Sequence, residues 1–131
     1  QTAPTWPDSL EALVASPRTH KLLYEDASVR LLEIIIQPGE TEMMHGHRWP
    51  LIYGFNSPTP AYTLIYPDGS QESFKRNFEN DTWQKPQCIT ATDSSVHKLY
   101  NTDSFPTHIY NLEFKRMVGR DILSMKAWPR D

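Results

Sequence analysis

Turn signals that recur at short intervals constrain the fold of this chain more than any other feature. Residues 38–39 (Pro-Gly), 56–60 (Asn-Ser-Pro-Thr-Pro) and 67–70 (Pro-Asp-Gly-Ser) each end a short segment rich in aliphatic, aromatic or β-branched residues. Segments of this composition are typical of strands, and tight turns join strands into antiparallel sheets. We predict an all-β sandwich or barrel with strands at 21–24, 29–37, 41–47, 51–55, 61–66, 71–78, 82–85, 88–90, 97–101 and 108–114.

The N-terminal segment has a different pattern. Residues 7–9 (Pro-Asp-Ser) resemble a helix start, and Leu10, Leu13 and Val14 follow at helical spacing. Pro17 then ends the pattern because proline cannot continue a helix. This segment therefore predicts a short helix on the outside of the β domain.

Length and composition exclude several classes of protein. A chain of 131 residues suits one domain with one core. Its net charge of −3 gives no general attraction to nucleic acid or anionic lipid, and no apolar run approaches the roughly 20 residues of a membrane helix. The single cysteine, Cys88, excludes an internal disulfide and a cysteine-built zinc site. We expect a single domain over residues 1–131, without a nucleic-acid or membrane partner.

The first residues bear on the compartment. The chain starts at Gln1, and Gln-Thr-Ala-Pro resembles a bacterial N-terminus after removal of a signal peptide. We expect a periplasmic or secreted protein on this ground, with a trimmed cytoplasmic protein as the alternative.

Two histidines after the first turn are the strongest candidates for chemistry. His45 and His47 are two residues apart, so an extended strand would project both imidazoles to the same face. Histidine is the commonest metal ligand among side chains, and three neutral imidazoles can bind one face of a metal ion. His97 is a third candidate from a distant strand. The alternative interpretation is a histidine pair on a solvent-facing strand.

The spacing around these histidines resembles that of the cupin superfamily. Gly39, five residues, His45, one residue and His47 match the opening of the first cupin motif, and His97, three residues and Asn101 match the end of the second. The resemblance covers about residues 28–116. It implies a double-stranded β-helix, a barrel of jelly-roll type, with a core at about 21–116.

The resemblance also implies a site. Cupin metals lie inside the barrel on two histidines and a glutamate of the first motif and a histidine of the second, so His45, His47 and His97 are the expected ligands. Asn101 matches a structural position. A divalent metal held by three imidazole nitrogens can be Fe, Zn, Ni or Cu. A metal-free barrel, in which the histidines bind a polar ligand or act as acid and base, stays open.

The sequence departs from the motif at several positions. Leu51 and Ile52 stand where the first motif has its glutamate, and Gly54 comes too early for the closing glycine. Thr92 and Ser94 replace the proline and glycine that precede the histidine of the second motif. The sequence thus predicts a three-histidine site without its usual carboxylate.

Other residues are weaker candidates. Glu42 lies three residues before His45, and strand alternation would point it to the opposite face. His108 is a possible extra ligand, but we expect it near a loop at the start of the last strand. Tyr53 and Tyr62, on strands beside the histidine pair, are the predicted substrate-binding residues.

Three functions are compatible with these features. The first is a small metal-dependent enzyme of the dioxygenase type that acts on a small organic molecule. The second is a metal-free, non-catalytic barrel that binds a small molecule or a sugar. The third is a metal-assisted isomerase or lyase. Fold does not choose among them. Cupins often pair edge strands, so a homodimer is expected from the resemblance.

Overall fold

The protein is described by a computed structural model that covers residues 6–56, 60–75 and 96–116, together with the backbone of 87–89. Eight strands lie in these segments: β1 (His20–Glu25), β2 (Val29–Ile36), β3 (Leu51–Phe55), β4 (Tyr62–Ile65), β5 (Gln71–Phe74), β6 (Gln87–Ile89), β7 (Lys98–Asn101) and β8 (Thr107–Phe114). The predicted strand 82–85 and the positions of Thr92 and Ser94 lie outside the described residues. The all-β prediction is confirmed.

The strands form two antiparallel sheets. One sheet has the order β1-β2-β8-β3-β6, and the other has the order β5-β4-β7. The predicted hairpin around residues 67–70 is the β4–β5 pair, with Tyr62 opposite Phe74. Gly69 in its turn has φ +87°, a conformation that L side chains rarely adopt. This arrangement brings strands from both ends of the sequence into one barrel.

The sheets enclose an apolar core, and strict alternation along β2 and β8 builds one wall of it. Residues at even positions of β2 and odd positions of β8 are buried, so these two strands present one row of side chains each to the interior. The core consists of Ile34, Ile36, Phe55, Leu99 and Ile109. At one end, the inward row becomes polar at Arg30 and Glu113, which lie opposite each other in the register.

The N-terminal segment is helical, as predicted, but in two short pieces. A 3-10 turn covers Asp8–Leu10 and α1 covers Ala12–Ala15. Glu11 lies between them in an extended conformation, which breaks the helix. Ala12 and the backbone of Leu10 pack against the chain at Gly46 through two backbone hydrogen bonds. The segment is therefore attached beside the histidine pair. Among the described residues, no helix is long and apolar enough to cross a membrane.

The predicted strand 41–47 is wrong as a continuous strand. Only isolated bridges pair it: Gly46 with Glu11 and, in the stretch beside β7, Thr41 with Tyr100 and His45 with His97. Thr41 and His45 are four residues apart, whereas their partners Tyr100 and His97 are three residues apart. The first segment therefore carries one extra residue, as in a β-bulge. The bulge changes which residues of this segment face the interior, with consequences for Glu42.

Candidate metal centre

Four imidazoles from three parts of the chain meet inside the barrel. His20 is the first residue of β1, His45 and His47 follow the bulge, and His97 immediately precedes β7. Ring centroids are 4.5 Å apart for His20 and His45, 5.2 Å for His45 and His47, and 5.0 Å for His45 and His97. His45 therefore lies at the centre of a cluster, which we call the histidine cluster (His20, His45, His47 and His97).

Backbone carbonyls orient two of these rings. Nδ1 of His45 lies 2.8 Å from the carbonyl oxygen of Met43, and Nδ1 of His20 lies 3.1 Å from that of Ser16. A carbonyl oxygen only accepts hydrogen bonds, so each Nδ1 carries the proton. In the neutral ring Nε2 then has the lone pair, which is the donor a metal ion needs.

His47 is oriented by a buried chain of charged groups. Its Nδ1 lies 2.8 Å from the Glu113 carboxylate, which accepts a 2.6 Å bond from Nε of Arg30. Arg30 also donates to both carboxylate oxygens of Glu11, at 2.5 and 3.3 Å. The ring of Trp49 covers the guanidinium, 4.9 Å from the ring centroid. We call this the charged chain (Glu11, Arg30, Glu113). Carboxylate–histidine pairs of this kind fix the orientation of metal-binding imidazoles.

Glu42 points into the cluster because of the bulge. The extra residue shifts the alternation, so a residue three positions before His45 shares its side. Oε2 of Glu42 lies 3.6 Å from Nε2 of His20 and 3.9 Å from Nε2 of His45. Its other oxygen, Oε1, accepts the backbone N–H of Leu99 at 3.0 Å. The expectation that Glu42 faces the opposite side is therefore wrong.

Burial determines the charge states in the cluster. Burial first, and then the neighbouring imidazole of His47, lower the pKa of His20 to about 3. The same two causes lower the pKa of His45. Burial raises the pKa of Glu42 to about 8, against the opposing hydrogen bond from Leu99. Burial would also raise the pKa of Glu113, but the bonds from His47 and Arg30 outweigh it and hold that pKa below its ordinary value.

The donor atoms form two sets, each of which could hold a transition-metal ion. In each of two sets, the three ligand atoms lie within 4.8 Å of one another: His20, His45 and His47, and Glu42, His45 and His97. Among the described residues, Nε2 of His20 is buried and has no hydrogen-bond partner. Buried polar groups are nearly always paired, so a lone pair held in this way points to a ligand that the side chains do not supply. Imidazole nitrogens with one carboxylate suit Zn, Fe, Ni or Cu.

A cavity of about 210 Å³ adjoins the cluster. Its walls are mostly apolar, from residues such as Ile34, Ile36 and Phe55. Its polar side chains apart from the histidine cluster are Glu42, Tyr53, Tyr62 and Asn111. Burial raises the pKa of Tyr62 to about 12, so its hydroxyl stays protonated at neutral pH. This volume has room for a small molecule.

The predicted site residues lie at the cluster and the cavity, apart from His108. His45, His47 and His97 belong to one cluster, and their assignment as the ligands stays a prediction. Tyr53 and Tyr62 line the cavity. His108 lies on the outer face of β8, where Nε2 is 2.7 Å from Glu33 and Nδ1 is 3.1 Å from Asn56.

Four other residues singled out from the sequence lie within strands. Side-chain atoms of Asn101 bond the carbonyl of Ile36 and the N–H of Asp103, which agrees with a structural role. Leu51 and Ile52 lie on β3, which leaves the motif position without a carboxylate. Cys88 lies in β6, where its backbone pairs with that of Ile52 in β3. The side chain of Cys88 lies outside the described residues.

Sequence reasoning missed His20 and Glu113. The predicted first strand began at residue 21, one position after His20, although the strand begins at His20 itself. Glu113 could have been found from the alternation along β8, because it lies an even number of residues from Ile109 and Asn111 and so shares their inward-facing row. A glutamate in a row that otherwise faces the core indicates a buried partner.

Comparison with known proteins identifies the fold. No family model matches the sequence, and no curated protein matches it. Among solved structures, a cupin domain from Bordetella pertussis Tohama I has a TM-score of 0.56 and 15% identity, over 73% of this chain and 91% of that one. An uncharacterised conserved protein with a double-stranded β-helix domain from Klebsiella pneumoniae has a TM-score of 0.51 and 12% identity, over 76% and 78% of the two chains. The predicted double-stranded β-helix is confirmed.

Proposed function

We propose that this chain, which has the cupin fold, binds one divalent transition-metal ion in the histidine cluster and uses it to oxidise a small, largely apolar organic molecule with O2. The observation that carries the proposal is the orientation of the rings. Backbone carbonyls bind Nδ1 of His20 and His45, which leaves their Nε2 atoms for a shared ion, and the carboxylate of Glu113 fixes the ring of His47 beside them. His97 adds a fourth ring beside His45.

The cavity supports the choice of substrate class. Among the described residues that line it, there is no lysine or arginine, so a phosphate or other strong anion would have no cationic side chain to bind there. A sugar would need many hydrogen-bonding groups, and the walls offer few apart from the hydroxyls of Tyr53 and Tyr62 and the amide of Asn111. A small molecule with an apolar body and one or two oxygen atoms fits these walls best.

The same residues favour oxidation over proton-transfer chemistry. A bound metal ion would act as a Lewis acid and, if redox-active, would support reaction with O2. An isomerase or lyase needs a general base beside the substrate. The side chains that could accept a proton here are the four histidines of the cluster and Glu42 beside them, which would bind the ion. Tyr53 and Tyr62 have raised pKa values and serve as hydrogen-bond donors.

Metal analysis of the purified, tag-free protein is the first test. We expect one ion per chain in the wild type, loss of that ion in His45→Ala, and full retention in His108→Ala, because His108 bonds Glu33 on the outer face. Metal-free wild-type protein that still binds a small molecule would instead support the non-catalytic barrel.

Oxygen uptake is the second test. The metal-loaded protein is incubated with β-diketones, thiols and aromatic diols in an oxygen electrode, with His45→Ala as the inactive control. We expect O2 consumption with one of these classes. Conversion of a substrate without O2 consumption would overturn the oxidative assignment in favour of an isomerase or lyase.

A further inference from the structure

We propose that His20 and Glu42 are direct ligands of the metal ion, and that Glu42 supplies the carboxylate that the chain lacks at positions 51 and 52. This inference rests on the proposed metal-binding function and extends it, because both residues lie outside the positions expected from the sequence. His20 comes from β1 and Glu42 from the bulge.

The environment of His20 indicates a bound cation. Its side chain is fully buried. Nδ1 donates a hydrogen bond to the carbonyl of Ser16 and also lies 3.1 Å from the hydroxyl of Thr19. Nε2, on the opposite side of the ring, has no hydrogen-bond partner among the described residues and faces Glu42 and His45. A neutral imidazole in this position offers a lone pair that only a donor or a cation can use.

The two oxygens of Glu42 have separate roles. Oε1 accepts the N–H of Leu99, which the bulge leaves without its usual backbone partner in this stretch. Oε2 lies 3.6 Å from Nε2 of His20 and 3.9 Å from Nε2 of His45. These separations are too long for hydrogen bonds. They are close to the roughly 3.0–3.5 Å between two ligand atoms that share an ion at about 2.0–2.2 Å.

Charge compensation supports the same assignment. Glu42 is 5% exposed, and in the described part of the chain no lysine or arginine forms an ion pair with it. A buried carboxylate needs a cation nearby to stay ionised, and a divalent ion bound by the surrounding rings would provide it. The two donor sets share His45, and Oε2 of Glu42 lies near Nε2 of both His20 and His45, so we place the ion beside His45, between His20 and Glu42.

The test uses the wild-type chain with 15N-labelled histidine. The chain has five histidines, of which four form the cluster and His108 lies outside it as an internal reference. Zn²⁺ is added to chelator-treated protein, and the ring nitrogen resonances are followed. We expect the Nε2 resonances of His20, His45, His47 and His97 to shift on binding, while those of His108 stay unchanged. Three shifted residues without His20 would overturn the assignment of His20.

Calorimetric titration of Zn²⁺ into variants tests both residues independently. We expect His20→Gln and Glu42→Gln each to weaken binding by at least about tenfold, because loss of a supporting partner alone costs 10–100-fold. Glu42→Gln keeps an oxygen for the N–H of Leu99, so its effect reports the lost charge. The matched controls are His108→Gln and Glu33→Gln, which alter the carboxylate–imidazole pair on the outer face and should leave affinity unchanged.

The outcomes separate this inference from the proposed function. Wild-type protein that binds one Zn²⁺ ion, with undiminished affinity in His20→Gln and Glu42→Gln, would contradict the inference and leave the three-histidine site in place. Wild-type protein that binds no Zn²⁺, Co²⁺ or Ni²⁺ would contradict both.

Discussion

The histidine cluster is held in two different ways on its two sides. On one side, His20 and His45 are oriented by carbonyls four and two residues away in the sequence, those of Ser16 and Met43. On the other side, His47 is oriented by Glu113, which is 66 residues away and is itself bound to Arg30. The first side depends on the local path of the chain, whereas the second exists only when β2 and β8 have paired.

This difference determines what a substitution can do. A backbone carbonyl cannot be removed by changing a side chain, so the local side is resistant to substitution around it. The charged chain can be broken at each of its members, and each break leaves a buried charge without its partner. Among substitutions of the groups that orient the rings, we therefore expect the largest effects on stability and on metal affinity from the side of His47.

Arg30→Met should have the largest effect on stability. It leaves the carboxylates of Glu11 and Glu113 buried without their shared cation, and breaking a buried pair in this way costs about 3–5 kcal/mol. Urea denaturation with circular dichroism measures the loss. The control is Arg18→Met, which breaks a pair with Glu40 at the surface, where Arg18 is 81% exposed and the expected loss is under about 1 kcal/mol. Equal losses in the two variants would show that the charged chain contributes no more to stability than a surface ion pair does.

Glu113→Gln should have the second-largest effect, which is a loss of metal affinity. The amide cannot stabilise the ring of His47 as the carboxylate does, so we expect Zn²⁺ binding to weaken by about 10–100-fold. Calorimetric titration of chelator-treated protein measures it. Glu33→Gln is the matched control, because it alters a similar carboxylate–imidazole pair on the outer face of the same sheet. Unchanged affinity in Glu113→Gln would show that the charged chain does not contribute to metal binding.

Thr19→Val should have the smallest effect, because it perturbs the local side. The hydroxyl of Thr19 lies 3.1 Å from Nδ1 of His20, but the carbonyl of Ser16 remains as a partner. We expect Zn²⁺ affinity to change by less than about threefold, which is under about 0.7 kcal/mol. The lost hydrogen bond should lower the free energy of unfolding by about 1 kcal/mol. A tenfold loss of affinity would mean that the carbonyl does not orient the ring by itself.

The parts of the molecule that follow from local periodicity could be predicted from the sequence. The strands β2, β3 and β8, the hairpin turn at Gly69 and the common side of His45 and His47 depend on alternation and turn chemistry within short segments, whereas the position of His97 beside them was expected only from the cupin resemblance. The apolar cavity beside Tyr53 and Tyr62 follows from the same pattern. These features required no knowledge of which strands are neighbours.

The features that were missed depend on pairing between distant segments. The bulge at residues 42–44 exists because Thr41 pairs with Tyr100 while His45 pairs with His97, and neither segment indicates this mismatch alone. The mismatch turns Glu42 inward. Likewise, the role of Glu113 depends on Arg30 lying opposite it in the register. Sequence periodicity gives the face of each residue within a regular strand, and it fails where a bulge changes the phase.

The central claim is that one transition-metal ion lies among the Nε2 atoms of the histidine cluster. Diffraction from crystals grown with stoichiometric Zn²⁺, measured on both sides of the zinc absorption edge, tests it most directly. The account predicts a single anomalous peak per chain, within bonding distance of His45 and at least two other histidines of the cluster. A structure whose only zinc peaks lie at the surface, for example beside His108 and Glu33, would contradict it.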